Sequence, residues 1–84
     1  MRYSLQIKRG AQKELEKIAR PDRQRLIDAI DQLAENPHVG KLLKGEFSGL
    51  RRVRVGDYRL IYEINEGQVL ILVLRVAHRK QIYR

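Results

Sequence analysis

The residues in this sequence with the clearest chemical potential are Arg52, Arg54 and Arg59, which lie on either side of a short turn. Side chains alternate between the two faces of a strand, so Arg52 and Arg54 share a face. Gly56-Asp57 predicts a two-residue hairpin turn, and in that register Arg54 lies opposite Arg59. Like charges opposite each other destabilise a sheet by about 0.2–1 kcal/mol per pair. Because guanidinium groups bind phosphate oxygens in pairs, this cluster, the arginine face, predicts a site for a phosphate-rich ligand.

The other face of the predicted hairpin is apolar, and this fixes the register. It carries Val53, Val55, Tyr58, Leu60 and Tyr62. A slip of one residue would exchange these side chains with the arginines. Glu63 lies on the arginine face and can pair with one guanidinium group but not with three, and the next strand has no carboxylate between Gln68 and Ala77. The alternative is a solvated edge from which the arginines diverge into water.

The overall charge favours the same class of ligand. The chain has 84 residues, with 18 Lys and Arg against 10 Asp and Glu, a net charge of +8. Residues 41–84 hold ten basic and four acidic side chains, so this half contributes +6 of the +8. Such an asymmetry favours a polyanionic partner over the alternative that the charge only keeps a small protein soluble.

Other kinds of site have little support in the sequence. The absence of cysteine excludes disulfides and thiolate zinc sites, and it agrees with a cytoplasmic location. His38 and His78 are forty residues apart and lack the clustered carboxylates of a metal site. The longest apolar run, Val69 to Leu74, has six residues, which is far too short to span a membrane, and no export signal is evident. We therefore expect no metal centre and no membrane association.

Hydrophobic periodicity predicts a single α+β domain over residues 1–84 with the element order β-α-α-β-β-β. Strands are predicted at residues 3–7, 50–55, 58–64 and 69–77. The apolar stripes of the two predicted helices are Ala11, Leu15 and Ile18, then Leu26, Ile30 and Leu33. Arg20-Pro21 separates the helices, Asn36-Pro37 ends the second, and residues 38–49 are predicted to form a loop. We expect the N-terminal strand and the helical hairpin to pack on a mainly antiparallel sheet.

Residues 54–62 read Arg-Val-Gly-Asp-Tyr-Arg-Leu-Ile-Tyr, and the last seven residues of the sequence include His78-Arg79 and Tyr83. These motifs, with the stretch that begins at Leu42, resemble the RelE/ParE toxin superfamily, and most of all its RelE branch. The resemblance covers nearly the whole chain and implies a RelE-like fold. It also implies the toxin of a type II toxin–antitoxin system, a ribosome-dependent endoribonuclease that cuts messenger RNA in the ribosomal A site and inhibits translation. It implies no metal or organic cofactor, because the 2′-hydroxyl of the RNA itself attacks the phosphodiester.

The resemblance also implies which residues do the chemistry. The positions that match the family's catalytic residues are Arg52, Arg54, Arg59, Arg79 and Tyr83. Neighbouring basic residues are predicted to contact RNA: Lys41, Lys44, Arg51, His78, Lys80 and Arg84. The first two catalytic positions are lysines in the best-known members, and an arginine remains protonated and is a very poor general base. The proton acceptor must then be Tyr83, His78 or a group of the ribosomal RNA, and we favour Tyr83.

The implied partners are a RelB-like antitoxin that covers the arginine face, the ribosome with its 16S rRNA, and messenger RNA. Contact with promoter DNA is expected only through the antitoxin complex. One alternative is a ParE-like inhibitor of DNA gyrase, which shares the fold and acts by binding a protein. The other is a basic RNA-binding module without catalytic activity. The basic ending with Arg79 and Tyr83 favours the RelE-type function.

Overall fold

The computed structural model describes residues 2–78, which form two helices packed on one five-stranded sheet. The elements are β1 (Ser4–Ile7), α1 (Arg9–Glu16), α2 (Asp22–Leu33), β2 (Lys41–Leu42), β3 (Arg51–Val55), β4 (Tyr58–Asn65) and β5 (Leu70–His78). The strand order is β1-β5-β4-β3-β2, and only the pairing of β1 with β5 is parallel. The predicted α+β class and mainly antiparallel sheet are confirmed. Neither helix in this part of the chain is long and apolar enough to cross a membrane.

The helices cover one face of the sheet with the apolar stripes that the sequence predicts. The buried side chains are Ala11 and Leu15 of α1, Ile18 just after that helix, and Leu26, Ile30 and Leu33 of α2. They pack against Leu60, Tyr62, Ile71, Val73 and Val76 of the sheet. Full burial of one large aliphatic side chain stabilises the fold by about 1.5–3 kcal/mol. Because the core takes every second residue of β3 and β4, the alternate residues of these strands point away from the helices.

The stretch predicted as a loop contains two short elements that position its ends. Pro37–Val39 and Gly45–Phe47 each form a single turn of 3₁₀ helix, and β2 lies between them. β2 pairs with β3 through only two residues, with Lys41 opposite Arg52 and Leu42 opposite Arg51. A two-residue strand is too short to show alternation in a sequence, which explains why the loop prediction missed it.

Side chains from the sheet fasten the turn that precedes β2. The Tyr62 hydroxyl donates a hydrogen bond to the Pro37 carbonyl at 2.6 Å and accepts one from the Gly40 N–H at 3.0 Å. Arg51 Nη1 donates to the Gly40 carbonyl at 2.8 Å. We call these four residues the Gly40 clasp. Burial raises the pKa of the Tyr62 hydroxyl, which keeps it protonated and able to donate.

A second cluster ties the same turn to the end of the sheet. Glu66, between β4 and β5, accepts a hydrogen bond from the Tyr3 hydroxyl and contacts His38 Nε2 at 3.1 Å. The Tyr3 hydrogen bond lowers the pKa of the Glu66 carboxyl, and the contact with His38 lowers it further. The carboxylate therefore joins the start of β1 to the Pro37–Val39 turn.

Gly40→Ala is expected to destabilise the protein because Gly40 packs directly on the Tyr62 ring. A Cβ added at position 40 would lie 2.4 Å from Tyr62 Oη, and overpacking of this kind costs about 1–3 kcal/mol. Gly10→Ala is the control, because nothing lies within 4 Å of a Cβ there and alanine favours a helix over glycine by about 0.5–1 kcal/mol. Urea unfolding should therefore give changes of opposite sign, and equal stability of the two variants would contradict the close contact.

Glu66→Gln should lower stability in a pH-dependent manner. A carboxyl whose folded-state pKa is lowered adds stability above its unfolded pKa, and this stability is lost as the pH falls through the folded value. The difference in unfolding free energy between wild type and Glu66→Gln should therefore be largest near neutral pH and should shrink on acidification below pH ~4. Denaturant titrations across this range measure it, with Glu46→Gln as the control on the exposed Gly45–Phe47 turn. A difference that does not change with pH would contradict the assignment.

Candidate nucleic-acid interface

The hairpin of β3 and β4 places the three arginines together on the side of the sheet away from the helices. Arg54 lies directly opposite Arg59, and Arg52 lies opposite Ile61, as the Gly56-Asp57 turn predicts. Side chains directly opposite each other in an antiparallel pair have Cβ atoms about 4.5–5.5 Å apart. Arg52 and Arg54 are two residues apart on one strand, which separates them by about 6–7 Å. Neighbouring phosphates of a nucleic-acid strand can be bound at this spacing.

None of the three arginines forms an ion pair within residues 2–78. The ion pairs in this range join Arg2 to Glu35, Arg25 to Asp22, His38 to Glu66 and Arg75 to Glu14. Glu63 shares the arginine face by register, yet no ion pair links it to Arg52, Arg54 or Arg59. The cost of bringing the guanidinium groups together is therefore not offset by carboxylates of the described chain.

Arg59 is the most constrained of the three. It is half-buried at the centre of the sheet, and its Nε is buried with no hydrogen-bond partner among the described residues. A buried donor without an acceptor costs about 1–3 kcal/mol. No hydrogen bond among residues 2–78 offsets this cost.

Two further cations, Lys41 and Arg75, lie in the same row of cross-strand neighbours as Arg52. Lys41 lies opposite Arg52 on β2 and is exposed, so it extends the face at one edge of the sheet. On the other side of Arg52, the same row continues through Ile61 to Arg75 on β5. The position of Arg75 could not be predicted from the sequence, because it depends on an irregularity in the pairing of β4 with β5 after Ile61.

Arg75 differs from the other cations because a carboxylate holds it. Glu14 Oε2 accepts from Arg75 Nε at 3.0 Å and Nη2 at 2.9 Å, while Oε1 accepts the backbone N–H of Val76 at 2.8 Å. β1 pairs with β5 only as far as Val73, so Glu14 replaces a strand partner beyond that point. The guanidinium group of Arg75 is thus held at the sheet edge next to α1.

Two of the predicted RNA-binding residues within 2–78, Arg51 and His78, lie on the opposite side of the sheet from the arginine face. Arg51 lies opposite Tyr62 on the helix side, where it is half-buried in the Gly40 clasp. His78 lies opposite Tyr58, also on the helix side, with ring centroids 5.1 Å apart in an edge-to-face arrangement. Lys44 is exposed just before the Gly45–Phe47 turn. The predictions for Arg79, Lys80, Tyr83 and Arg84 lie outside the described residues.

The arginine face can bind a phosphodiester and stabilise negative charge that develops on it. Each guanidinium group offers five N–H donors and remains protonated. Neither histidine lies on this face, because His38 contacts Glu66 at the end of the sheet and His78 lies on the helix side. Within residues 2–78 no group of three or more His, Cys, Asp or Glu is arranged to hold a metal ion. Among the side chains that the register of β3, β4 and β5 places on this face, Glu63 is the one that could accept a proton.

Arg54→Gln should stabilise the fold, because it removes the like-charge pair with Arg59. We expect the unfolding free energy to rise by about 0.2–1 kcal/mol at low salt, and less at high salt because of screening. Arg75→Gln is the matched control. It removes a partner of Glu14 and should lower stability by up to about 1 kcal/mol, since the pair is partly exposed. Urea unfolding at two salt concentrations measures both, and a loss of stability in Arg54→Gln would show that this arginine serves the fold.

Comparisons with known proteins identify relatives of this arrangement. The profile of the family described as the ParE toxin of type II toxin–antitoxin systems, parDE, matches residues 5–83. Toxin RelG of Mycobacterium tuberculosis is 34% identical over 86 residues, which cover 100% of this chain and 99% of RelG.

Solved structures show the same fold. The toxin–antitoxin complex RelBE2 of Mycobacterium tuberculosis contains a chain with a TM-score of 0.88 and 30% identity, covering 94% of this chain and 100% of that chain. The archaeal RelE–RelB complex from Pyrococcus horikoshii gives a TM-score of 0.78 at 28% identity, covering 98% and 100%. The family profile matches most of this chain, and the match with RelG covers the whole of it. The chain therefore belongs to the RelE/ParE superfamily of toxins of type II toxin–antitoxin systems.

Proposed function

We propose that this toxin is a ribosome-dependent endoribonuclease that cleaves messenger RNA in the ribosomal A site and so inhibits translation. The observation that carries the proposal is the arginine face, where three guanidinium groups share one side of a hairpin without an ion pair among residues 2–78. A net charge of +8 supports a polyanionic substrate. A toxin that acts on ribosomes works in the cytoplasm.

The proposed reaction is an internal transesterification of the RNA. The 2′-oxygen forms a bond to phosphorus while the bond from phosphorus to the 5′-oxygen breaks. The products are a 2′,3′-cyclic phosphate and a 5′-hydroxyl. The proton of the 2′-hydroxyl goes to a base, for which Tyr83 is our candidate, and the departing 5′-oxygen takes up a proton from water. No metal is needed for these steps.

The arginines contribute binding and charge stabilisation in this scheme. Arg52 and Arg54, together with Arg79, hold the scissile phosphate and stabilise the charge that develops on its oxygens. Arg59 orients the RNA backbone from the centre of the sheet, where its side chain is half-buried. Loss of one donor to a developing oxyanion typically lowers a rate by about 10²–10³-fold.

We propose a RelB-like antitoxin as the protein partner. Two similar structures, at 30% and 28% identity, are toxin–antitoxin complexes, RelBE2 and RelE–RelB. An antitoxin that covers the arginine face would block access of RNA to it. Promoter DNA would then be contacted through the antitoxin complex, while the ribosome, with its 16S rRNA, and messenger RNA are partners of the free toxin.

A ParE-like inhibition of DNA gyrase is the second candidate, and the description of the matching family profile favours it. In that case the toxin would act by binding a protein, and the arginine face would not be a catalytic surface. The two functions differ in which process stops first after the toxin is produced, protein synthesis or DNA replication.

The direct test incubates the protein with ribosomes programmed with a defined message and maps the 5′ ends of the products. Wild type should cut within the A-site codon, and Arg52→Gln, Arg54→Gln and Arg59→Gln should each lower the single-turnover rate by about 10²–10³-fold. Arg25→Gln is the matched control, because Arg25 lies on α2 in an exposed pair with Asp22 at 3.7 Å. It should cleave at the wild-type rate.

The other outcomes select between the alternatives. An intact message together with inhibited gyrase supercoiling would favour the ParE-like function. An intact message with salt-dependent RNA binding would indicate a non-catalytic module; four arginines on phosphates give a slope of log affinity against log salt near −3, about 0.7 for each. Cleavage that is unchanged in all three arginine variants would refute the proposed site.

A further inference from the structure

We infer that the Gly40 clasp positions Lys41 as a phosphate ligand at the edge of the arginine face, and that Tyr62 is a positioning residue for RNA binding. The inference rests on the proposed function of that face. Tyr62 lies on the opposite side of the sheet from the arginines, buried in the core, and so contacts no RNA itself. Its effect must pass through the backbone of Gly40 to the next residue, Lys41.

β2 needs such support because its own pairing is minimal. It joins β3 through two residue pairs at the edge of the sheet, and the side chains of Lys41 and Leu42 are both exposed. Lys41 also lies opposite Arg52, so like charges push the two strands apart when no anion lies between them. Pairing this short is marginal by itself.

The Gly40 clasp attaches the start of β2 to the sheet through two side chains from neighbouring strands. Tyr62 on β4 and Arg51 on β3 are directly opposite each other, and they bind the N–H and the carbonyl of Gly40 respectively. The buried Tyr62 hydroxyl also holds the Pro37 carbonyl, so the turn is fixed on both sides of Val39. Both backbone groups of the residue before Lys41 are thus fixed from the helix side.

Packing adds to these hydrogen bonds. Gly40 is buried, and its Cα lies so close to Tyr62 that an added Cβ would come within 2.4 Å of the hydroxyl oxygen. The peptide at position 40 therefore has one well-defined location. Because Lys41 follows it directly and pairs with Arg52, the lysine enters the row of cations that crosses the arginine face.

This arrangement changes the role of Arg51 in the site. Its side chain is committed to the Gly40 carbonyl on the helix side of the sheet, so it acts in our account through Lys41. Tyr62 offers the cleaner test, because replacing it with phenylalanine removes the hydroxyl without altering any charge.

The experiment measures binding of a mixed-sequence single-stranded RNA oligonucleotide over a range of salt concentrations. Lys41→Gln should weaken binding by up to about fivefold and reduce the slope of log affinity against log salt by about 0.7, because one phosphate contact is lost. Tyr62→Phe should produce the same loss and the same change of slope, although it removes no charge. The double variant should bind like either single variant, and Lys13→Gln on the exposed side of α1 should bind like wild type.

Gly40→Ala provides a second neutral disruption of the clasp if Tyr62→Phe does not fold. A normal salt slope in both folded clasp variants, with a reduced slope in Lys41→Gln, would refute the positioning role. A normal slope in Lys41→Gln, with reduced slopes in Arg52→Gln and Arg54→Gln, would refute Lys41 as a ligand and leave the proposed function intact. Absence of salt-dependent binding in wild type would instead refute the RNA function of the face.

Discussion

The repulsion between guanidinium groups brought together by one hairpin is the constraint on which this account depends. Arg54 and Arg59 are cross-strand neighbours, Arg52 adjoins them, and the apolar face of the same hairpin fixes that register. Arg75 is an arginine that stabilises the fold, because Glu14 binds both its Nε and its Nη2. The arginines of the face differ from it, because Arg52, Arg54 and Arg59 form no ion pair within residues 2–78.

Much of the fold and the centre of the site could be predicted from the sequence because local signals determine them. The Gly56-Asp57 turn and the alternation on each side of it give the register, and the apolar residues spaced at helical intervals give both helices. Sequence reasoning could not place side chains that bond to distant backbone. Arg51 was predicted to bind RNA, and the structure places its guanidinium group on the Gly40 carbonyl, eleven residues earlier in the chain.

The edges of the sheet were harder to predict for a physical reason. β2 follows a turn that is held by hydrogen bonds from Tyr62 and Arg51, and Arg75 reaches its row only through an irregularity in the pairing of β4 with β5. Neither feature leaves a periodic pattern. Membership of the toxin superfamily likewise does not establish activity, because related toxins on one fold can act on different targets. The choice between RNA and gyrase therefore depends on what the arginine face contacts.

The most direct measurement of that contact is an NMR titration that follows the arginine Nε–Hε resonances as a single-stranded RNA is added. Our account predicts that the resonances of Arg52, Arg54 and Arg59 shift together, while those of Arg2 and Arg25, which pair with carboxylates elsewhere, remain in place. Shifts confined to arginines outside the sheet, or none at RNA concentrations that saturate binding, would contradict it.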